Sequence, residues 1–476
     1  MEKFNDFIYT HTKRSRLGVC SLVWNASKLI KPMKYPTTSS RAICCFSFCL
    51  ITLLFTPIPA VAAAAAGGDI SGIWELIVVQ LGETNVERIH LKADGDKISG
   101  KHGQTGNLEG TLKADKLEIK ELGDDKKVRS EFTGSVHGDT FSGVVKFGGM
   151  ELQCSARRAV PRPPGSPSRH NFEPTKFHRH FSGAIPPALK IFPGDTVHTD
   201  TVDAGGVDKN GVRRSQGGNP LSGPFYVEGA LSGDTLVIHF NRIRVNRDTA
   251  RSGSGIVPSA LEPWYARNKQ PVRDFDPTWH LDKQHGIATL AKPTDKLKNF
   301  TVPLQPMLGC VGVAPPGSQS FRSGDLGPYG GNLDYNQIRE GTTLYLPVFQ
   351  LGALLFIGDG HAAQGDGELT GDALETSMEV EFTVDLIQGK SVGPRAENDE
   401  YIMALGVANS MPEAVQRATT QLATWLEDDY KLNPSEVAMV LGFAIRYDVA
   451  ELVDPHVHMF AKIKKSSLAG LTRVSN

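Results

Sequence analysis

The densest run of chemistry-bearing side chains is Gly358 to Glu368, GDGHAAQGDGE, which sets Asp359, His361, Gln364, Asp366 and Glu368 among four glycines. It follows the apolar run TTLYLPVFQLGALLFI, so a buried strand opens into a segment flexible enough to bring backbone and side chains close to a bound group. An imidazole beside carboxylates suits a hard or borderline metal ion or an acid–base pair. The competing reading is a glycine-rich surface turn with solvated acids. A second cluster, GPYGGNLDYNQI from Gly327, carries Asn332 and Asp334 on a Gly-Gly turn, where short polar side chains also bond their own backbone. A third, NPLSGPFYVEGALSGDTL from Asn219, puts Glu228 at the end of an apolar strand. That acid is either a strand-end surface residue or a buried carboxylate with a raised pKa.

Histidine pairs offer further ligands. His178-x-His180 and His456-x-His458 each place two imidazoles on one strand face, a spacing found in metal sites and also in packed couples. His198 and His239 read as structural strand residues. Gly389-Lys-Ser391-Val-Gly393 satisfies G-x-S-x-G, but Pro394 and Arg395 follow where a nucleophile elbow requires a helix, so Ser391 is not read as a nucleophile. The chain has no H-E-x-x-H and no Walker or dinucleotide loop, which leaves a nucleotide cofactor without support.

These clusters need strands to hold them, and the 476 residues supply them. Glycine (49) and proline (29) are too frequent for a helical bundle and suit a loop-rich β protein. Residues 69–158 read as consecutive hairpins: GTLKADKL from Gly110 and GSVHGDTF from Gly134 superimpose as strand, turn, strand, and HLKADGDKISG from His90 is a looser copy. A small antiparallel β-barrel with a packed interior is expected. The stretch resembles small β-domains of the SGxW…FTGTVxGDxxSG kind, here SGIW from Ser71 and FTGSVHGDTFSG from Phe132. Residues 159–170 contain VPRPPGSPS and are expected to be an exposed linker. The large domain is set at 171–465, with 466–476 as a tail. Its alternating strand Met378 to Leu386 marks a sheet with one wet face. Near its end Ser410 and Glu413 predict a capping box, with Val415, Ala418, Leu422 and Trp425 on one helix face, and Asn433-Pro434 opens a second helix ending at Gly442. The fold class expected is mainly β: a β-sandwich-like large domain with a small α+β end, plus the N-terminal barrel.

Residues 1–66 read as a signal-peptide region. Arg41 precedes the apolar AICCFSFCLITLLF, then come Pro57, Pro59 and an A-x-A site at Ala60 to Ala62. Met33 would give an n-region of ordinary length, which points to it as the start of translation. A secreted or periplasmic protein follows, with no membrane anchor after cleavage. Residues 1–68 hold eight Lys/Arg and two acids, so the remainder, with 43 basic and 50 acidic side chains, carries about −7. No positive excess suggests a nucleic-acid partner. Four of six cysteines fall in the leader, and Cys154 and Cys310 are expected as independent buried thiols.

Read together and in order, NPLSGPFYVEGALSGDTL, PMLGCVGVAPPG from Pro306, GPYGGNLD and GTTLYLPVFQLGALLFIGDGHAAQGDGE resemble the acetamidase/formamidase family. The resemblance covers the large domain. It implies hydrolysis of short aliphatic amides to ammonia and a carboxylic acid, with zinc or calcium near the active region and a homo-oligomeric assembly. Carried over by motif, it implies Glu228, Asp334 and His361 as catalytic residues, Asn332 and Gln364 as amide-binding, and His178, His180, Asp359, His361 and Glu368 as metal ligands. One position departs: where the family usually reads Pro-x-His-Gly-Gly-Asn, this chain has Tyr329 before Gly330. With no serine elbow or credible catalytic cysteine, an activated water is the expected nucleophile. A degenerate binding module, or a metal-dependent hydrolase of another C–N bond, are the alternatives.

Overall fold

The computed structural model describes residues 69–474, apart from 81, 104, 105 and 166. The leader, its four cysteines and Met33 lie outside the described residues.

Eight antiparallel strands from Gly72–Gln80 to Met150–Arg158 follow one another as a meander and close into a barrel, the first pairing with the last at Val78 and Cys154. The alternation dictates the closure: Trp74, Leu76, Ile89, Leu91, Leu117, Ile119, Phe132 and Phe141 all point inward and are buried. The void they leave is about 10 Å³, at the limit for a single water, so this interior is packed side chain and not a ligand chamber. Arg88 fixes the barrel to the large domain with a bidentate ion pair to buried Asp234 at 2.9 and 3.1 Å and a bond to the Gly229 carbonyl at 2.6 Å. The proline-rich segment is pinned at its far end: the Ser168 amide and His170 both bond Asp195, and Arg169–Phe172 joins a sheet parallel to Thr196–Asp200, so the strand begins inside the expected linker.

The large domain is built on two sheets. One has six strands in the order Leu189–Ile191, Leu221–Val227, Leu355–His361, Met307–Gly312, Gly330–Asn332 and Leu326–Gly327. The other has nine, with Thr343–Pro347 in the middle and its longest strands, Thr235–Val245 and Met378–Ile387, next in order. Their facing side chains form one core, where Phe225 of the first sheet meets Phe382 of the second at 5.2 Å between ring centroids. Met378–Ile387 alternates buried and wetter residues as its sequence requires. A four-stranded sheet from Thr249–Arg251 to Thr301–Pro303 stands beside this sandwich.

The helix Met411–Tyr430 lays Ala418, Leu422, Trp425 and Leu426 on the strands Tyr401–Ala408 and Val457–Lys464. Its start differs from expectation. Ser410 makes no side-chain capping bond, and the Glu413 carboxylate accepts from Arg417 one turn on, at 2.8 Å, instead of reaching back to close a capping box. The reciprocal capping box is instead at Asn433 and Glu436, and that helix runs through Gly442 to Ala444. The expected tail docks: Arg473 bridges Glu397 and Asp429. Cys154 and Cys310 are buried and unpaired.

Candidate active site

The strand Leu355–His361 is buried at every residue and occupies the middle of the six-stranded sheet. Its apolar beginning secures it in the core, and its polar end therefore cannot reach bulk water. The register pairs Leu308 with Gly360 and Cys310 with Gly358, and Asp359 between them takes φ 57°. Cys310 also pairs with Asn332 on the other side, which brings the Gly-Gly-Asn turn and Asp334 alongside. The loop after His361 returns Glu368 and Glu375 to the same point, and Glu375 bridges to the His361 backbone. Asn219 precedes the neighbouring strand, and Asp454 comes from the turn before Val457–Lys464. Asn219, Asn332, Asp334, Asp359, Glu368, Glu375 and Asp454 line a cavity of about 670 Å³.

His361 is the centre. Its Nε2 lies 3.1 Å from Glu375, 3.5 Å from Asp359 and 3.9 Å from Asp334, and its Nδ1 is 2.9 Å from Gln364 Oε1. Gln364 uses its NH2 on the carbonyls of Asp334 (2.5 Å) and Ala450 (3.2 Å), so its oxygen must accept from Nδ1. Nδ1 therefore carries the hydrogen, and Nε2 is the one ligand atom His361 offers. Asn332 donates to Asp334 Oδ2 and to Asp454 Oδ2 (2.6 Å), while its oxygen receives Asn219 (3.3 Å) and the Cys310 thiol (2.7 Å). Asn219 also donates to Asp359 Oδ2 at 2.9 Å.

This arrangement fits a divalent cation. Asp334 Oδ1, Asp359 Oδ1 and Glu375 Oε2 are buried without a hydrogen-bond partner among the described residues, an arrangement that is costly unless another group satisfies them. Ligand atoms of Asp334, Asp359 and His361, and of His361, Glu368 and Glu375, lie within 4.8 Å of one another. Because both triads share Nε2, they describe one locus. Oxygen with imidazole nitrogen is a donor set for zinc or a harder ion. Gly309 keeps the space open: a Cβ there would overlap Asp334 Oδ1 and come within 2.7 Å of Asp359 Oδ2 and 3.0 Å of His361 Cε1. Electrostatics agree. Burial raises the pKa of Asp334 far above the carboxylate range, and the Glu368 charge adds to it. Burial, reinforced by Glu375 and Asp359, pushes Glu368 to about 9 against the opposing pull of His361. Burial alone would lower His361, but Glu375 and Asp359 outweigh it and hold its pKa well above the usual value. A cation would stand where that proton stands.

Several expected residues take other places. Glu228 is not in the cluster: it follows the strand that Asn219 precedes, about 30 Å of extended chain away, and pairs with Lys190 at 3.3 Å beside the barrel. His178 packs edge-on to Phe356 at 6.5 Å, and His180 lies exposed at the cavity mouth, so neither joins the ligand cluster. Gln364 bonds His361 and two backbone carbonyls, and Asn332 bonds Asp334 and Asp454, so the donors of both amides are engaged within the protein. His456 pairs with Asp325, and His458 is buried and lowered to about 3 by desolvation. Asp366 faces solvent and accepts from Asn336. Sequence reasoning missed Glu375, Asp454, Gly309 and Asn219, although the last opens a motif it had singled out. Tyr329, the departing position, stacks on Phe321 at 5.1 Å and does not line the cavity.

The acetamidase/formamidase family model matches residues 325–454, a span that contains Asn332, Asp334, Asp359, His361, Gln364, Glu368, Glu375 and Asp454. A formamidase from Methylophilus methylotrophus is 23% identical over 272 residues, 45% of this chain and 64% of its own length. The chain thus spans somewhat under two thirds of that relative. Among solved structures, an acetamidase from Bacillus halodurans superimposes with a TM-score of 0.53 at 28% identity, covering 63% of this chain and 99% of that one. An acetamidase from Yersinia enterocolitica gives 0.54 at 27%, covering 64% and 94%. In sequence and in fold, the large domain is similar to acetamidases and formamidases.

Proposed function

We propose that the large domain hydrolyses a short linear amide to a carboxylate and ammonia on the floor of this cavity. The observation that carries the reading is the gathering of the Asp334, Asp359 and Glu375 carboxylates round His361 Nε2, with Asp334 Oδ1 left without a hydrogen-bond partner beside Gly309.

Asp334, Asp359 and His361, with Glu375 beside them, would hold the divalent cation. When bound, it supplies Lewis acidity and lowers the pKa of water at this point. The protein does the rest. Gln364 fixes the His361 ring, and Asn332 and Asn219 hold Asp334 and Asp359 through amide donors. Asn219 uses its NH2 within the protein, which leaves its carbonyl oxygen to accept from the substrate's NH2. The side chain of Glu368 makes no hydrogen bond to another described residue and lines the same cavity. Burial favours the protonated form of its carboxyl, and it is the group placed to pass a proton to the departing nitrogen. Water oxygen forms the new C–O bond, the C–N bond breaks, and the nitrogen leaves as ammonia.

Ammonia release from formamide and acetamide, measured beside metal content, tests this. Asp334→Ala and His361→Ala proteins that remain folded should lose at least a hundredfold in rate and bind less than stoichiometric metal. Undiminished rates refute the assignment. The leader adds the reading that the enzyme is exported and acts in the periplasm or outside the cell. A homo-oligomer is proposed from the family resemblance; among the described residues no helix is long and apolar enough to cross a membrane.

A further inference from the structure

The cavity is far larger than formamide or acetamide requires, since about 670 Å³ would hold roughly twenty waters. Its mouth carries two arginines, Arg179 and Arg322, whose guanidinium groups lie within 4.0 Å of no carboxylate among the described residues. Two acids of the same cavity lining are already engaged: Asp325 Oδ1 takes His456 and the Leu326 amide, and Asp454 takes Asn332. Nor are the arginines on a loose rim. Arg322 sits directly opposite His180 in a two-stranded ribbon, which fixes its backbone at the edge of the cavity. The next residue, Ser323, ties that ribbon to the floor: its amide donates to the Arg179 carbonyl, its hydroxyl to Gly218 beside Asn219, and its carbonyl accepts from Cys310.

From this geometry we infer that the preferred substrate is a primary amide that also bears a carboxylate, the amide lying on the floor and the carboxylate against Arg179 and Arg322. The inference rests on amide hydrolysis at that floor and names its substrate class. Planar guanidinium forks match a carboxylate two bonds at a time, so they discriminate by charge and by shape.

Succinamate and its neutral isostere 4-methylpentanamide test the assignment. The native protein should favour succinamate by more than tenfold in kcat/KM, and in the Arg179→Gln, Arg322→Gln double variant that preference should fall at least tenfold, partly restored when lysine replaces each arginine. A preference near one in the native protein, or one unchanged in the double variant, overturns the inference. Turnover of neutral amides alone would leave the amidase reading standing and remove this one. If no amide is turned over, calorimetric binding of succinamate to the native and double-variant proteins still decides: equal affinity, or none, overturns it.

Discussion

Gly309→Ala adds one methyl group to the most confined point of the site. Gly309 has an ordinary backbone conformation, so alanine brings no left-handed strain and the effect is purely steric. The new Cβ would overlap Asp334 Oδ1 and stand 2.7 Å from Asp359 Oδ2, about 0.7 Å short of ordinary contact. Both carboxylates are held by Asn332 and Asn219, and the strand beneath is buried throughout, so neither side can yield freely. Overpacking of this kind costs about 1–3 kcal/mol of stability, a few degrees in Tm for a domain of this size. Metal geometry is far less forgiving: ligand distances tolerate about 0.2 Å, and misplacement near 1 Å costs roughly a hundredfold in rate. The expected protein is therefore folded, slightly less stable, short of stoichiometric metal, and slower in ammonia release by about a hundredfold. Elemental analysis, thermal unfolding and an ammonia assay on one preparation give all three quantities. Full metal content with an unchanged rate would show that the space above Gly309 is not where the chemistry occurs.

Two further outcomes follow from groups outside the cation locus. The Tyr329 hydroxyl is buried without a partner among the described residues, so Tyr329→Phe should raise stability by about 1 kcal/mol in thermal unfolding and leave ammonia release intact; a lost rate would place the phenol in the chemistry. Glu397 is desolvated, which alone would raise its pKa, but bonds from Lys465 and Tyr345 and the charge of Arg473 prevail and lower it to about 2. Its contribution, roughly 2–3 kcal/mol, is present above the unfolded value near pH 4.5 and is lost as pH falls towards 2. Glu397→Gln should thus be less stable at neutral pH and show a flatter acid limb; an acid-unfolding curve identical to that of the native protein would refute this.

The fold was legible where the hydrophobic period was regular. Hairpins from Gly110 and Gly134 with inward residues two apart could only close or stack, and the apolar run before Gly358 could only be a buried strand. Site residues were legible where a motif held several of them, as in Asp359, His361 and Glu368. Glu228 misled because its carboxylate sits in a motif whose functional end is the other one: seven residues of strand separate it from Asn219, and only the sheet order shows which end meets His361. Glu375 lies in ALETSMEV, where no local signal exists, and its role arises from a bridge to His361. The motifs singled out the amides of Asn332 and Gln364, and both stand against His361 and its carboxylates. Their task could not be read, since it depends on which neighbours already use their donors.

Backbone conformation explains why this locus stays in place despite its cost. Nine non-glycine residues among those described have φ in the left-handed region, and four of them, Asn219, Asp334, Asp359 and Glu368, line one cavity. Each costs on the order of 1 kcal/mol, and glycine would relieve it at once. Glycine is abundant in these very turns, so its absence at the four positions marks places where a side-chain oxygen is required and the strain is borne for it. Asn and Asp tolerate this conformation best, which accounts for three of the four, whereas Glu368 is the exception, held by the loop between His361 and Glu375. The surrounding sheet absorbs the strain: Leu355–His361, Met307–Gly312 and Leu221–Val227 are buried along their whole lengths, and a rearrangement that relaxed one of these φ angles would have to expose part of that core. The carboxylates are therefore fixed before any cation or substrate arrives, which is the condition for their orphaned oxygens to act as a preformed site.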